Sequence, residues 1–193
     1  MKIESNPFIP MKIESNPFIP DVKVLERPVY SDHRGFFTES LNPFVEQVLG
    51  VTFVQDNHSM SHKYVIRGIH YQWNNPMGKL CRVVRGSGMD VAVDLRAKSP
   101  TFGKYVMVYL SGDNFKQVWV PPGFGHAFIS LEDETHFCYS CTAVHNAESE
   151  GAICPLDKTL MVDLPFAITS KAIISDKDKN AMSFEEYKLD PKF

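Results

Sequence analysis

The run RGIHYQ, residues 67–72, sets an imidazole, His70, between Ile69 and Tyr71, with Arg67 just before it and Lys79 a little further on. An imidazole in a strand-like run has two readings. One is a core histidine with a satisfied hydrogen bond; the other is a base beside an anion site. A second histidine, His126, lies in VPPGFGHAF (120–128), where two prolines and two glycines make a rigid turn that delivers it onto the next strand. DVAVDLR (90–96) alternates Asp90, Ala92 and Asp94 against Val91, Val93 and Leu95. Residues two apart on a strand share a face. The pattern favours a solvated acidic face, the alternative being a carboxylate turned onto a histidine. Arg34, Arg67, Lys79 and Arg82 lie on three segments; they either solvate the surface or gather into a diphosphate site. Cys138 and Cys141 form a C-x-x-C. A redox role needs a helix N-terminus and a zinc knuckle needs a second pair, and neither is visible. Residues i and i+3 of a strand point to opposite faces, so both read as ordinary buried thiols.

The elements that must position these groups are mostly short strands. KVLERPVY, FFTES, VTFVQDNHSM, YVIRGIHYQ, KLCRVVRG, GMDVAVDLR, YVMVYLSG, QVWVPPG, HAFISL and THFCYSCTAV are apolar and β-favouring, and are bounded by Gly, Pro, Asn or Asp. NPFVEQVLG (42–50) predicts a short helix, with Asn42 as cap, Pro43 in the first turn and Gly50 closing it. DKDKNAM predicts a second. No linker splits the chain, so the expectation is a single all-β sandwich, jelly roll or small barrel. In a barrel, inward side chains alternate along each strand and the mouth is concave. His70, Lys79, Asp90, His126 and Tyr139 all fall on expected strands or strand ends. Alternation lets each point inward without proving that they meet.

The 193 residues suffice for one domain with a sizeable core. A formal net charge of -3 points to neither nucleic acid nor an anionic membrane as partner. MKIESNPFIP has no apolar leader core and no run reaches membrane-spanning length, so a cytoplasmic protein is expected. Four cysteines in a chain this long do not make a disulfide framework. Residues 1–10 and 11–20 are the same decapeptide. Two copies are not a solenoid. Residues 1–20 are therefore a duplicated decapeptide in which Met11 reads as the natural start and 1–10 as an extension, and 21–193 form the single domain.

The Pro-x-Gly-x-x-His run ending at His126 resembles the second motif of cupin barrels, and the strand carrying His70 resembles a degenerate first motif. Metal cupins place a second histidine two residues on and a glutamate nearby; here the position is Gln72 and the glutamate is missing. Two histidines do not make a metal site, so none is expected. Taken together, SDHRGFFTES, FVQDNHSMS, IRGIHYQ, GKLCRVVRGSGMDVAVDLRAKSPTFGKY and QVWVPPGFGHAF resemble the dTDP-4-dehydrorhamnose 3,5-epimerase family, from about residue 21 to 178. The resemblance implies a cupin-type jelly-roll β-barrel with short flanking helices, working without metal or redox cofactor. It implies a nucleotide-diphosphate sugar substrate, most simply dTDP-linked, whose C4 ketone acidifies C3 and C5. By the same resemblance His70 is the base and Asp178 its carboxylate partner. Lys79 lies near the C4 oxygen, and Tyr139 is the acid on the opposite face. Arg67 lies near the diphosphate, with Gln55 and Asn57 close by. Arg34 and Glu39 reach the nucleotide from the neighbouring subunit of a homodimer with exchanged N-terminal strands. Asp90 and His126 form a pair behind the reacting groups.

The chain departs from the family pattern at three places. Val144 and His145 stand where an aromatic pair is usual, and the second of those aromatics stacks on thymine. His145 can still stack, over less area and with a titrating ring. Cys154-Pro155-Leu156-Asp157 replaces a Trp-Asn-Asp run, and Leu164-Pro165 replaces Trp-Pro. His70, Lys79, Tyr139 and Asp178 are untouched, so the chemistry is expected to be retained while the base and sugar stay open. Alternatives are an epimerase acting at C3 only, a keto-sugar isomerase on the same barrel, and a metal cupin or sugar-binding module.

Overall fold

The computed structural model describes residues 11–160 and 162–193. The extension expected at residues 1–10 lies outside them. In chain order the elements are β1 (Lys12–Ser15), β2 (Lys23–Glu26), β3 (Tyr30–Asp32), β4 (Gly35–Phe37), α1 (Pro43–Leu49), β5 (Gln55–Ser61), β6 (Val65–Gln72), β7 (Lys79–Arg85) and β8 (Ser87–Asp94). They continue with β9 (Tyr105–Ser111), β10 (Lys116–Val120), β11 (Phe124–Ser130), β12 (Thr135–Cys141), β13 (Glu150–Ala152), α2 (Phe166–Thr169), β14 (Ile173–Ile174), α3 (Asp176–Lys179) and α4 (Phe184–Leu189).

Two sheets face each other. One runs β1-β2-β10-β7-β12-β5, and the other β13-β6-β11-β8-β9 with β14 parallel beside β6. This is the expected jelly roll with short flanking helices. Between the sheets lie Cys81, Val83, Ala92, Val118, Phe124, Phe128 and Phe137, with the Phe128 and Phe137 rings stacked at 4.1 Å. The outer face of the second sheet is also covered. Val91, Val93, Leu95, Ile66 and Tyr71 pack under Ile153, Leu160, Ile168, Phe184 and Tyr187 from the C-terminal segment. Helix α1 covers part of the first sheet by packing Val45 onto Leu25, Leu80 and Trp119. Covered on both faces, central strands lose the alternation of a half-wet sheet.

That is why the acidic face expected for DVAVDLR is not solvated. Asp90 and Asp94 are buried. Asp90 meets His126, and Asp94 organises the turn after β8 by accepting from Arg96, Ser99 and Thr101.

Local predictions at the helices hold. The Asn42 side chain accepts from Val45 N at 3.2 Å and Gly50 closes α1 at φ 68°. Ser175 caps α3, where DKDKNAM predicted a helix. Helix α4, with its Ser183–Glu186 capping box, was not anticipated. The second decapeptide copy is built into the fold: β1 pairs with β2 and Ile19 is buried. Among the described residues no helix is long and apolar enough to cross a membrane.

Candidate active site

Strand β6 carries an irregularity that decides the site. On β11, His126 and Phe128 are two residues apart; opposite them on β6 stand His70 and Arg67, three apart. One extra residue on one strand is a β-bulge. It puts Arg67 and His70 on the same inward face, which strict alternation would forbid. Gly68 sits in the bulge at φ 120°, and a Cβ there would lie 2.5 Å from the His126 carbonyl oxygen. Only glycine fits that close approach.

His70 and Arg67 open onto a cavity of about 530 Å³ that Lys79, His126, Tyr139, Lys177 and Asp178 also line. His70 Nε2 lies 2.7 Å from Asp178 Oδ1. Asp178 is buried on α3, and its other oxygen accepts the Gly68 amide at 3.3 Å. A carboxylate held this way fixes the imidazole's orientation and stabilises the imidazolium formed when the ring takes a proton. Across the cavity, Tyr139 comes from β12, and the Lys79 ammonium stands 5.8 Å from the centre of its ring. Burial, reinforced by the neighbouring Cys141 and Cys81 and opposed by Arg67 and Asn57, pushes the Tyr139 phenol up to about 12. It is therefore a protonated donor at neutral pH. His126, in register with His70, binds Asp90 Oδ2 through Nε2 at 2.9 Å. Burial lowers its pKa against the pull of Asp90, with Lys79 and His70 adding to the lowering.

The remaining expected residues are placed less uniformly. Arg67 is held by Ser61 Oγ at 3.0 Å and by the Met60 carbonyl. Gln55 donates to Asn57 Oδ1 and accepts the His145 amide, both at 3.0 Å. Asn57 continues into an adjoining pocket that holds Arg82. His145 shares a narrow pocket with His70, Lys79 and Glu150. Of the four cations weighed as an anion site, Arg67 and Lys79 meet in the main cavity and Arg82 lies next door. Arg34 does not join them in this chain: it is exposed on the β3–β4 turn and bound to Asp32. Glu39 also stands away, accepting from Asn42 Nδ2 at 2.6 Å. Cys141 is buried as expected, whereas Cys138 is only half-buried.

Two neighbours of these groups escaped the sequence. Lys177 lines the cavity and is paired to Glu150 at 2.5 Å, with His145 3.9 Å from the same carboxylate. Its only signal was adjacency to Asp178. Cys81, two residues after Lys79 on β7 and hence on its face, lies 3.7 Å from His126 Nε2.

Comparison with known proteins accords with this geometry. The family model for dTDP-4-dehydrorhamnose 3,5-epimerase matches residues 17–186. The dTDP-4-dehydrorhamnose 3,5-epimerase of Salmonella typhimurium is 47% identical over 76% of this chain and 82% of its own; that of Escherichia coli is 45% identical over 86% and 91%. Among solved structures, the Legionella pneumophila 3,5-epimerase in complex with dTDP-4-keto-L-rhamnose superposes with a TM-score of 0.86 at 43% identity, over 91% of this chain and 94% of that one. A 3'-monoepimerase from Streptomyces bikiniensis in complex with dTDP-quinovose gives 0.85 at 32% identity, over 91% and 90%. The buried carboxylate–imidazole pair thus sits in a barrel whose family is identified: the chain belongs to the dTDP-4-dehydrorhamnose 3,5-epimerase family and is an isomerase.

Proposed function

We propose that this enzyme converts dTDP-4-keto-6-deoxyglucose to dTDP-4-keto-rhamnose by inverting C3 and C5. His70, oriented by Asp178, removes the proton that the neighbouring ketone acidifies. Lys79 faces the C4 oxygen, where a cation stabilises the enolate more than the ketone. Tyr139, kept protonated by burial, returns a proton to the opposite face. Arg67 and Lys177 take the diphosphate, Gln55 and Asn57 hold the sugar-nucleotide beside them, and His145 flanks the base. His126 is held by Asp90 behind the ring. The observation that carries this reading is the 2.7 Å His70–Asp178 contact in the same cavity as a neutral phenol.

Arg34 and Glu39 serve a second subunit's site in a cytoplasmic homodimer with exchanged N-terminal strands. The β3–β4 hairpin supports this, since it leaves Tyr30, Phe36 and Phe37 exposed. No nucleic acid, membrane or cofactor enters the reaction. The likeness to a 3'-monoepimerase keeps one second reading, inversion at C3 only. Incubation with dTDP-4-keto-6-deoxyglucose in heavy water, read by mass spectrometry, separates them. Two deuterons gained are expected; one means a single-centre epimerase, and none means another substrate.

A further inference from the structure

Behind the cavity-lining His126 lies a buried donor cluster that proton transfer does not use. Cys81 on β7, Asp90 on β8 and His126 on β11 are all buried, and a ligand atom from each lies within 4.8 Å of the other two. Cys81 Sγ is 3.7 Å and Asp90 Oδ2 2.9 Å from His126 Nε2. In a tetrahedral zinc site, metal–sulfur bonds of about 2.3 Å and metal–nitrogen or oxygen bonds of about 2.0–2.2 Å put neighbouring ligand atoms roughly 3.3–3.6 Å apart. The Cys81–His126 and His126–Asp90 separations lie within a few tenths of an ångström of that range, and the Cys81–Asp90 pair lies within 4.8 Å. A second observation points the same way. Asp90 already has His126 on one oxygen, yet its buried Oδ1 has no hydrogen-bond partner among the described residues. A buried carboxylate oxygen without a partner is costly and uncommon.

We propose that Cys81, Asp90 and His126 form a binding site for a thiophilic divalent cation such as zinc, with its open coordination position toward the catalytic cavity. This is not the cupin motif set, since it excludes His70 and uses a thiol and a carboxylate from two other strands. On binding, the Cys81 thiol releases its proton to solvent as the sulfur–metal bond forms. Thiolate and carboxylate then cancel both charges of the ion, and the imidazole binds as a neutral ligand. A closed three-residue anchor with one open position is chemically complete without further protein donors. Occupation draws His126 off Asp90 and sets a cation beside Lys79 and His70, so the ion inhibits.

The metal site stands apart from the proposed reaction; only its inhibitory effect rests on that reading. The test uses the full chain stripped of metal and titrated with cobalt(II), then zinc(II), alone. One cobalt per chain is expected, with tetrahedral visible bands and a sulfur-to-cobalt charge-transfer band that zinc abolishes. Cys81→Val is expected to lose the charge-transfer band and weaken zinc binding at least about tenfold, while Cys138→Ser keeps both. Circular dichroism verifies that Cys81→Val is folded. No cobalt uptake by folded wild type, or a charge-transfer band surviving in Cys81→Val, overturns the site. In turnover assays zinc should inhibit wild type while Cys81→Val, equally active without metal, resists. Zinc binding without inhibition overturns the cavity-facing position. Absence of turnover with the dTDP sugar condemns the substrate assignment and leaves the cobalt spectra decisive for the site.

Discussion

An imidazole alone is a modest base; what distinguishes His70 is a buried carboxylate bound at 2.7 Å. His70→Asn should cut kcat by about 10²–10⁴-fold, the usual worth of a positioned acid–base group, with unchanged circular dichroism. A sugar-binding module would survive that change functionally. Tyr139→Phe should act differently, because it removes the proposed returning acid and leaves the proposed base. Deuterium exchange into the sugar should then outrun inversion, measured by comparing mass gain with product configuration. With the phenol pushed up to about 12, the acid form persists throughout the neutral range. Any alkaline limb of kcat below about pH 10 must come from another group, and Tyr139→Phe should retain it.

At the scale of elements, the β6 bulge matters most. Gly68→Ala forces a side chain into a positive-φ position and onto the His126 carbonyl. We expect a loss of roughly 2–4 kcal/mol by denaturant unfolding, together with reduced turnover, because Arg67 and His70 lose their shared face. The turn after β8 gives a pH test. Burial works to raise the Asp94 carboxyl, but hydrogen bonds from Arg96, Ser99 and Thr101 prevail and lower it from 3.8 to about 2. The folded pKa lies below the unfolded one, so the contribution is complete above about pH 4 and disappears as pH falls through about 2. The difference is worth about 2 kcal/mol. Asp94→Asn should be less stable at neutral pH and should flatten the fall in stability across that window, measured by urea unfolding at stepped pH.

For the whole molecule, the exposed hairpin is the informative part. Tyr30, Phe36 and Phe37 are each more than half exposed, and among the described residues only Phe36 has a ring neighbour, Phe115 at 4.8 Å. Clustered exposed aromatics mark an interaction surface. If the hairpin completes a neighbouring site, sedimentation should show a dimer for the wild-type chain. A Phe36→Ser, Phe37→Ser double variant should sediment as a monomer with weakened nucleotide binding and intact secondary structure. A wild-type monomer with full activity would remove Arg34 and Glu39 from the site.

The sequence by itself determined the fold class, the α1 caps and the set of residues proposed to carry the reaction. Turn residues, caps and β-favouring runs are local signals, and long motifs such as RGIHYQ and VPPGFGHAF carry the family likeness. Tertiary structure alone decided which faces are wet. Asp90 and Asp94 read as solvated because alternation reports two faces without saying what covers them, and a segment some sixty residues downstream covers the outer one. It alone brought Arg67 and His70 to one face, since a bulge breaks the period from which facing is inferred. It also paired Asp178 with a histidine 108 residues away and set Cys81 against His126, 45 residues apart. Such contacts depend on sheet order and register, which arise only when distant strands pair, and no local pattern encodes them.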